Sequence, residues 1–410
     1  MAGEFVIDML GAQGDGVIQG SDGPVYVPYV LPGERVTVEI DGDRGSLKEI
    51  VEASADRIAP VCAHFARCGG CALQHMAGPA YLAWKREQVV QAFAARGIAA
   101  DVAPVVGLAE PAGRRRAVLA SRRLRSGVVL GYHERRSRTI VDIADCPVLV
   151  PAIRDALPGL RDVLGSLLTR RGEATITVIA GETGLDVAIT GARQLGGAQD
   201  FMALANLAER LDLARLTVDG ETMVERRLPV LNIAGHAVTP PPGGFVQAVA
   251  EAEAALIGAV REVTEGAPRI ADLFAGIGTF ALPLAERAAV TAVELDGVAA
   301  SALEQAVRMA SGLKPIAVVR RDLFREPLME AELAGYEAVV FDPPRAGARA
   351  QAERLAASDV PRIAAVSCNP ATLARDARIL LDGGYRLGRV RPVDQFLFSA
   401  HIEVVADFSR

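Results

Sequence analysis

The sequence predicts an α/β protein: a doubly wound parallel sheet in its C-terminal part, a small β-barrel at its N-terminus and a mixed α+β unit between them. Three observations carry this. From about residue 245 onward, short apolar runs alternate with helical stretches, the signature of parallel strands joined by crossover helices. Residues 1–54 hold β-rich runs broken by glycine and proline. A length of 410 residues is too great for one ordinary domain, so two or three units are expected.

In the N-terminal stretch, Phe5-Val6-Ile7, Val25-Tyr26-Val27 and Val36-Thr37-Val38-Glu39-Ile40 read as strands. Gly11, Gly14, Gly16, Gly20, Gly23 and Pro32-Gly33 punctuate them. A barrel of the oligonucleotide-binding kind fits this spacing. The central unit is expected over residues 55–243. It opens with three cysteines and continues in a helix near 80–96, with Leu82, Val89, Val90 and Phe93 on one face and Gly97 to end it. That helix is expected to pack on the C-terminal unit. Short strands such as 175–179 follow, and Pro240-Pro241-Pro242-Gly243-Gly244 marks a boundary. In the last unit, 244–410, strands are expected at 269–274, 290–294, 316–319, 338–342, 362–368 and 401–408, with helices between the first five.

Composition narrows the function classes. No run of about 18 uncharged apolar residues appears, so no membrane span is expected. The N-terminus carries Glu4 and Asp8 and no basic flank, against a secretory signal. Five cysteines, an odd number, argue against a disulfide scaffold and for a reducing compartment. A cytoplasmic location is therefore expected. Net charge is −6, yet nine arginines lie between Arg114 and Arg138 against one acid, Glu134. This clustering is either a footprint for phosphates or a solvated sheet face.

Five motifs carry chemistry. In Asp272-Leu273-Phe274-Ala275-Gly276-Ile277-Gly278-Thr279-Phe280 a strand enters a glycine turn that opens a helix, letting the backbone approach a ligand. Glu294, at the end of the next strand, can accept both ribose hydroxyls. The same spacing fits a nicotinamide cofactor. Phe341-Asp342-Pro343-Pro344-Arg345 ends the fourth strand; Asp342 can bind an amine or an imide N–H, and the prolines stiffen the loop. Ser367-Cys368-Asn369-Pro370-Ala371-Thr372 ends the fifth strand before a helix. A thiol at a helix N-terminus is expected to have a lowered pKa and to be nucleophilic. Cys62-x5-Cys68-x2-Cys71, followed by Cys146-Pro147, supplies four thiolates for iron–sulfur or zinc. The tail offers His401 and Glu403, either of which can be a general base.

Taken together, these residues resemble the uracil-5 RNA methyltransferases, in the branch with a TRAM domain and an iron–sulfur cluster that acts on 23S ribosomal RNA. The resemblance covers nearly the whole chain. Its most specific parts are Asp342-Pro343-Pro344-Arg345 and Ser367-Cys368-Asn369-Pro370-Ala371-Thr372-Leu373. The order Gly-Asp-Gly-Val, Val-Tyr-Val-Pro, Leu-Pro-Gly-Glu-Arg-Val in the first 36 residues resembles the TRAM module. The resemblance implies a class I methyltransferase fold, S-adenosylmethionine as donor and a [4Fe-4S] cluster held by Cys62, Cys68, Cys71 and Cys146. It implies Cys368 as nucleophile and Glu403 as general base. Gln247 matches the glutamine at donor and target, and Phe274, Thr279, Glu294 and Asp322 match donor contacts beside the Gly276 and Gly278 turn. Asp342 is placed between donor and base. Arg114, Arg115, Arg116 and Arg345 are the expected RNA contacts, with RNA as partner and no obligate protein partner. Two departures stand out: Thr279 where some members have Asn, and Gln395 where many have Met. Neither is expected to touch the chemistry. A transfer-RNA uridine methyltransferase, a cytosine-5 enzyme, an amine-directed N-methyltransferase and a non-catalytic iron–sulfur RNA-binding protein remain the alternatives.

Overall fold

The computed structural model describes residues 2–20, 23–108 and 112–410. Its C-terminal sheet contains β1 (Arg269–Leu273), β2 (Ala289–Glu294), β3 (Ile316–Arg320), β4 (Ala338–Phe341), β5 (Arg362–Ser367), β6 (Arg386–Val393) and β7 (Glu403–Ser409). Their order is β3-β2-β1-β4-β5-β7-β6, with the short strand Asp101–Val102 added beside β6. Strands β1 to β5 run parallel. β7 is antiparallel to both β5 and β6, so the wholly parallel sheet expected from the sequence is mixed. The reason is the connection: no helix separates β6 from β7, and a parallel return needs a crossover of a dozen or more residues.

Alternation along each strand sends side chains to two cores. Ile270, Val290, Ala292, Val340, Ala364 and Val366 face one. Ala271, Leu273, Val339, Phe341, Ile363 and Ala365 face the other. Burial on both faces explains why these strands read as continuous apolar runs. β6 does not read so: arginines at 386, 389 and 391, Gly388 and Pro392 hide it, and proline is confined to strands near an edge.

The helix Gly78–Ala94 sends Val89 and Phe93 into the second core, together with Val102. The hairpin Leu231–Ile233 and His236–Val238 sends Leu231, Ile233 and Val238 into the first. Packing of the C-terminal sheet thus reaches past the proline–glycine run at 240–244. The middle of the chain forms a seven-stranded sheet running from Ile140–Asp142 at one edge to Glu221–Glu225 at the other. The helix Pro151–Leu167 covers it with Ile153, Leu157, Leu160, Leu164 and Leu167, an apolar stripe at three- and four-residue spacing. The N-terminal residues form a six-stranded sheet that begins with Ala2–Val6 and includes Arg35–Asp41 and Arg44–Glu52. It closes over Ile7, Val27, Val30, Val36 and Val38. Among the described residues no helix is long and apolar enough to cross a membrane.

Candidate active site

The carboxyl ends of β1, β2, β4 and β5 open onto one cavity of about 550 Å³, lined also by Gln247 and Glu403. The edge where a doubly wound sheet reverses strand order is where ligands bind. After β1 the chain turns sharply. Phe274 has φ 62°, Gly276 φ 56° and Gly278 φ 97°. Left-handed backbone at a bulky Phe is uncommon and is held only where surroundings force it. A Cβ on Gly278 would stand 2.5 Å from Leu303 Cδ1, so Gly278 serves close packing against the helix Gly297–Met309 and is not among the residues lining the cavity. Nothing lies within 4 Å of a Cβ built on Gly276; its side faces open space.

Glu294 locks this turn. Its Oε2 accepts from Gly276 N at 2.8 Å and its Oε1 from Asp296 N at 2.7 Å. Asp296 in turn caps the next helix through Val298 N. Asp322 lines the cavity and accepts from Phe324 N at 3.0 Å. The Phe324 ring lies 5.4 Å from that of Phe274, making an apolar wall that sequence reasoning missed. Phe324 is preceded by no motif; only its position after β3 announces it.

Beyond β5 the chain passes from strand to helix within three residues. Asn369 Oδ1 accepts from Ala371 N, and Pro370 opens the helix Pro370–Asp382, the combination expected of an N-cap and first turn. The Asn369 amide and the Thr372 hydroxyl both donate to Arg345 O, which ties this turn to the Asp342–Arg345 loop. Cys368 sits between the two loops and faces the cavity. Its thiol is not lowered, as the helix terminus led us to expect, but pushed up to about 11 by burial and by the carboxylates of Glu403 and Asp342. Desolvation and two nearby negative charges outweigh one helix end.

Glu403 and Asp342 share this environment. Burial and Asp342 push Glu403 up to about 8; desolvation pushes Asp342 up to about 7. Gln247 bridges toward them, donating from Nε2 to Asp342 Oδ2 at 3.4 Å. Gln395, set aside in the sequence as irrelevant to the chemistry, is buried and donates to Gln247 Oε1 at 2.8 Å and Glu403 Oε1 at 2.9 Å. The other candidate base, His401, lines a second cavity with the four cysteines and is not among the residues lining the first. Burial and the cations Arg345, Lys85 and Arg114 lower its pKa.

That second cavity, of about 280 Å³, is lined by Cys62, Cys68, Cys71 and Cys146 together with Arg114, Arg116 and Phe396. His64 N points to Cys62 Sγ and Gly70 N to Cys68 Sγ. Burial pushes the thiol of Cys71 up to about 11 and that of Cys146 to about 12. Among the described residues, no three His, Cys, Asp or Glu side chains are gathered to hold a single ion.

The arginines divide. Arg115 is not displayed for RNA as expected: it is buried, its guanidinium donating to Glu253 Oε2 at 2.8 Å and Gln247 O at 3.1 Å. Such a pair is a packing element, because an unpaired buried charge is costly. Arg116 is half-buried, donates to Gly244 O and stands 5.9 Å over the Phe245 ring. Arg114 stands 5.8 Å from the Phe396 ring. Arg345 is exposed at the cavity rim.

The glycine turn with an acid on the next strand admits an adenosine-containing cofactor, and Asp342 and Cys368 in the same cavity fit an S-adenosylmethionine-dependent methyltransferase. Residues 167–408 match the family model described as tRNA (Uracil-5-)-methyltransferase, and the chain belongs to that family; it is an RNA uracil-5 methyltransferase. It is 50% identical over 98% of its length to an RNA methyltransferase of Brucella suis biovar 1, covering 97% of that protein. It is 29% identical to the 23S rRNA uracil-C5 methyltransferase RlmD of Vibrio vulnificus, covering 99% of this chain and 96% of that one. The crystal structure of Pyrococcus abyssi tRNA (uracil-54, C5)-methyltransferase with S-adenosyl-L-homocysteine shares the fold, with a TM-score of 0.78, 24% identity and 99% of each chain covered.

Proposed function

We propose that the chain methylates carbon 5 of a uridine in ribosomal RNA, with Cys368 as nucleophile and Glu403 as general base. The observation that carries this reading is that thiol and carboxyl line one cavity with the glycine turn and Glu294. The Phe274 and Phe324 rings offer the adenine an apolar wall, Glu294 the ribose an acceptor, and Asp342 and Gln247 reach between donor and base. The donor supplies an electrophilic methyl.

Carbon 5 of uracil is a poor nucleophile. Addition of the Cys368 sulfur to carbon 6 makes an enolate whose carbon 5 takes the methyl. The thiol proton must leave first; Asp342, which also lines the cavity, is the acceptor that leaves Glu403 ionised for the later step. After methyl transfer, Glu403 takes the proton from carbon 5, and Cys368 leaves as the double bond re-forms. A stacked base cannot be approached from both faces, so the target must be flipped out. We assign RNA backbone contacts to the N-terminal sheet, as a TRAM-like module over 1–54, and to Arg114, Arg116 and Arg345. We take the remaining units along the chain as 55–243 and 244–410, with the helix Gly78–Ala94 and the hairpin at 231–238 packed on the second, and a cytoplasmic location from the substrate.

The relative RlmD supports ribosomal RNA, while the family model and the Pyrococcus abyssi structure, both named for transfer RNA, support the transfer-RNA alternative. Mapping 5-methyluridine in RNA from a deletion strain tests it: one ribosomal site should lose its methyl while transfer RNA keeps its own. Loss from transfer RNA alone would overturn the ribosomal assignment.

The cysteine cavity fits an iron–sulfur cluster. Backbone N–H groups aimed at cysteine sulfurs suit thiolate ligands, and the cavity is wider than one ion needs. Cys62, Cys68, Cys71 and Cys146 would hold the cluster, whose role here is structural because uracil methylation moves no electrons. Protein purified without oxygen should be brown and carry about four irons; a colourless protein with stoichiometric zinc would refute this.

A further inference from the structure

Gln395 occupies an unusual position for a residue that no motif reading used. It is 1% exposed, between Gln247 and Glu403, themselves 3% and 4% exposed. Its Oε1 accepts from Ala248 N at 3.0 Å. That backbone donor fixes which end of the amide is which, because an N–H cannot face an N–H. The Gln395 Nε2 group must therefore point at its other two partners, Gln247 Oε1 and Glu403 Oε1.

Two consequences follow. The Gln247 carbonyl is occupied, so its own Nε2 is turned to Asp342. One oxygen of Glu403 is occupied, and the other, Oε2, is buried without a hydrogen-bond partner among the described residues. An unpartnered carboxylate oxygen in a desolvated wall is costly in a resting protein. It is the atom a proton acceptor needs free.

We propose that Gln395 is a positioning residue for proton removal: its amide holds Glu403 Oε1 and the Gln247 carbonyl, so that Glu403 Oε2 alone faces the carbon-5 proton. This rests on the reading of Glu403 as the base. Gln395 touches neither donor nor uracil in this account; it acts through Glu403. Proton removal follows methyl transfer, so its loss should slow release of the covalent adduct and leave donor binding and adduct formation in place.

Two variants separate donation from packing. Gln395→Met keeps the length and loses both donors. Gln395→Leu also loses the donors and fills the site with a different, branched shape. Each is compared with wild type on ribosomal RNA for three quantities: S-adenosylhomocysteine affinity, the single-turnover rate of methyl incorporation, and the fraction of enzyme held as a denaturation-resistant RNA adduct. Both variants should bind S-adenosylhomocysteine within about twofold of wild type and release product roughly tenfold more slowly, as expected for one lost hydrogen bond to a charged group. Adduct should accumulate in both. A residue that only fills space would lower affinity and adduct formation together when cut short, and Gln395→Met, which keeps the length, would then turn over normally. Wild-type adduct levels and turnover in Gln395→Met, or loss of S-adenosylhomocysteine binding in both variants, would overturn the assignment. Wild-type enzyme is also tested on 5-fluorouridine-containing ribosomal RNA, where fluorine blocks proton removal. Failure to form an adduct there would remove the mechanism itself, an outcome distinct from failure of the Gln395 variants alone.

Discussion

Cys368→Ala should abolish methylation while S-adenosylhomocysteine still binds, because no enolate forms without the sulfur. Glu403→Gln should behave differently. Sulfur addition and methyl transfer both precede proton removal, so the variant should reach the methylated adduct and stall there. Turnover should fall by about 10²- to 10⁴-fold, the usual worth of a positioned general base. Denaturing gels with labelled RNA should show a slow-moving band for Glu403→Gln and none for Cys368→Ala/Glu403→Gln. The pH dependence follows from the same environment. Burial and Asp342 hold Glu403 near 8 in the folded protein, and the base works only when ionised, so the rate of adduct release should rise with pH up to about that value. The raised pKa also means that Glu403 stabilises the fold most at acid pH. That contribution is complete below its ordinary value of 4.5 and lost as pH rises through about 8. Normal turnover by Glu403→Gln would move the base to His401 or water, although His401 lines the other cavity. An RNA adduct surviving in Cys368→Ala would sink the nucleophile assignment.

The second large effect concerns Asp394. Lys85, 1% exposed, donates to Asp394 Oδ1 at 2.5 Å, His401 O at 2.7 Å and Phe396 O at 3.2 Å. The Tyr81 hydroxyl donates to Asp394 Oδ2 at 2.7 Å and accepts from Phe398 N. These bonds staple the helix Gly78–Ala94 to the segment that carries Gln395 and leads into Glu403. The backbone N–H groups of Ala72 and Leu73, just after Cys71, donate to Phe398 O in the same segment. Asp394→Ala would leave a buried ammonium without its counter-ion and should destabilise the fold by about 3–5 kcal/mol. Burial already brings Lys85 down to about 8, so loss of its proton sets the ceiling on that cost. Urea unfolding should show a lowered midpoint, and Lys85→Met/Asp394→Leu should recover part of it, since an apolar pair leaves no buried charge. An Asp394→Ala variant within about 1 kcal/mol of wild type would show that the pair contributes little.

Much of the catalytic sheet could be read directly. Strands such as β1, β4 and β5 are buried on both faces and therefore announce themselves as apolar runs. The residues at their carboxyl ends, Gly276, Asp342 and Cys368, sit in motifs whose chemistry is local: a turn, a stiff loop, a strand that becomes a capped helix. β6 escaped because its arginines and Pro392 suit an outer strand rather than a core. Asp101–Val102 escaped because two residues carry no period at all.

What the sequence by itself determined is which side chains exist at the strand ends and in what order the strands come. Only the tertiary structure decided the properties that depend on distant neighbours. Cys368 looked activated by the adjacent helix, yet burial, together with Glu403 and Asp342 beside it, raises its pKa. Arg115 looked like a phosphate contact, yet Glu253, 138 residues away, buries it in an ion pair. Gln395 looked inert, yet Gln247 lies 148 residues earlier and within hydrogen-bond distance. Desolvation and Coulomb forces act through space and not along the chain, so the sheet had to bring these groups together before their roles existed.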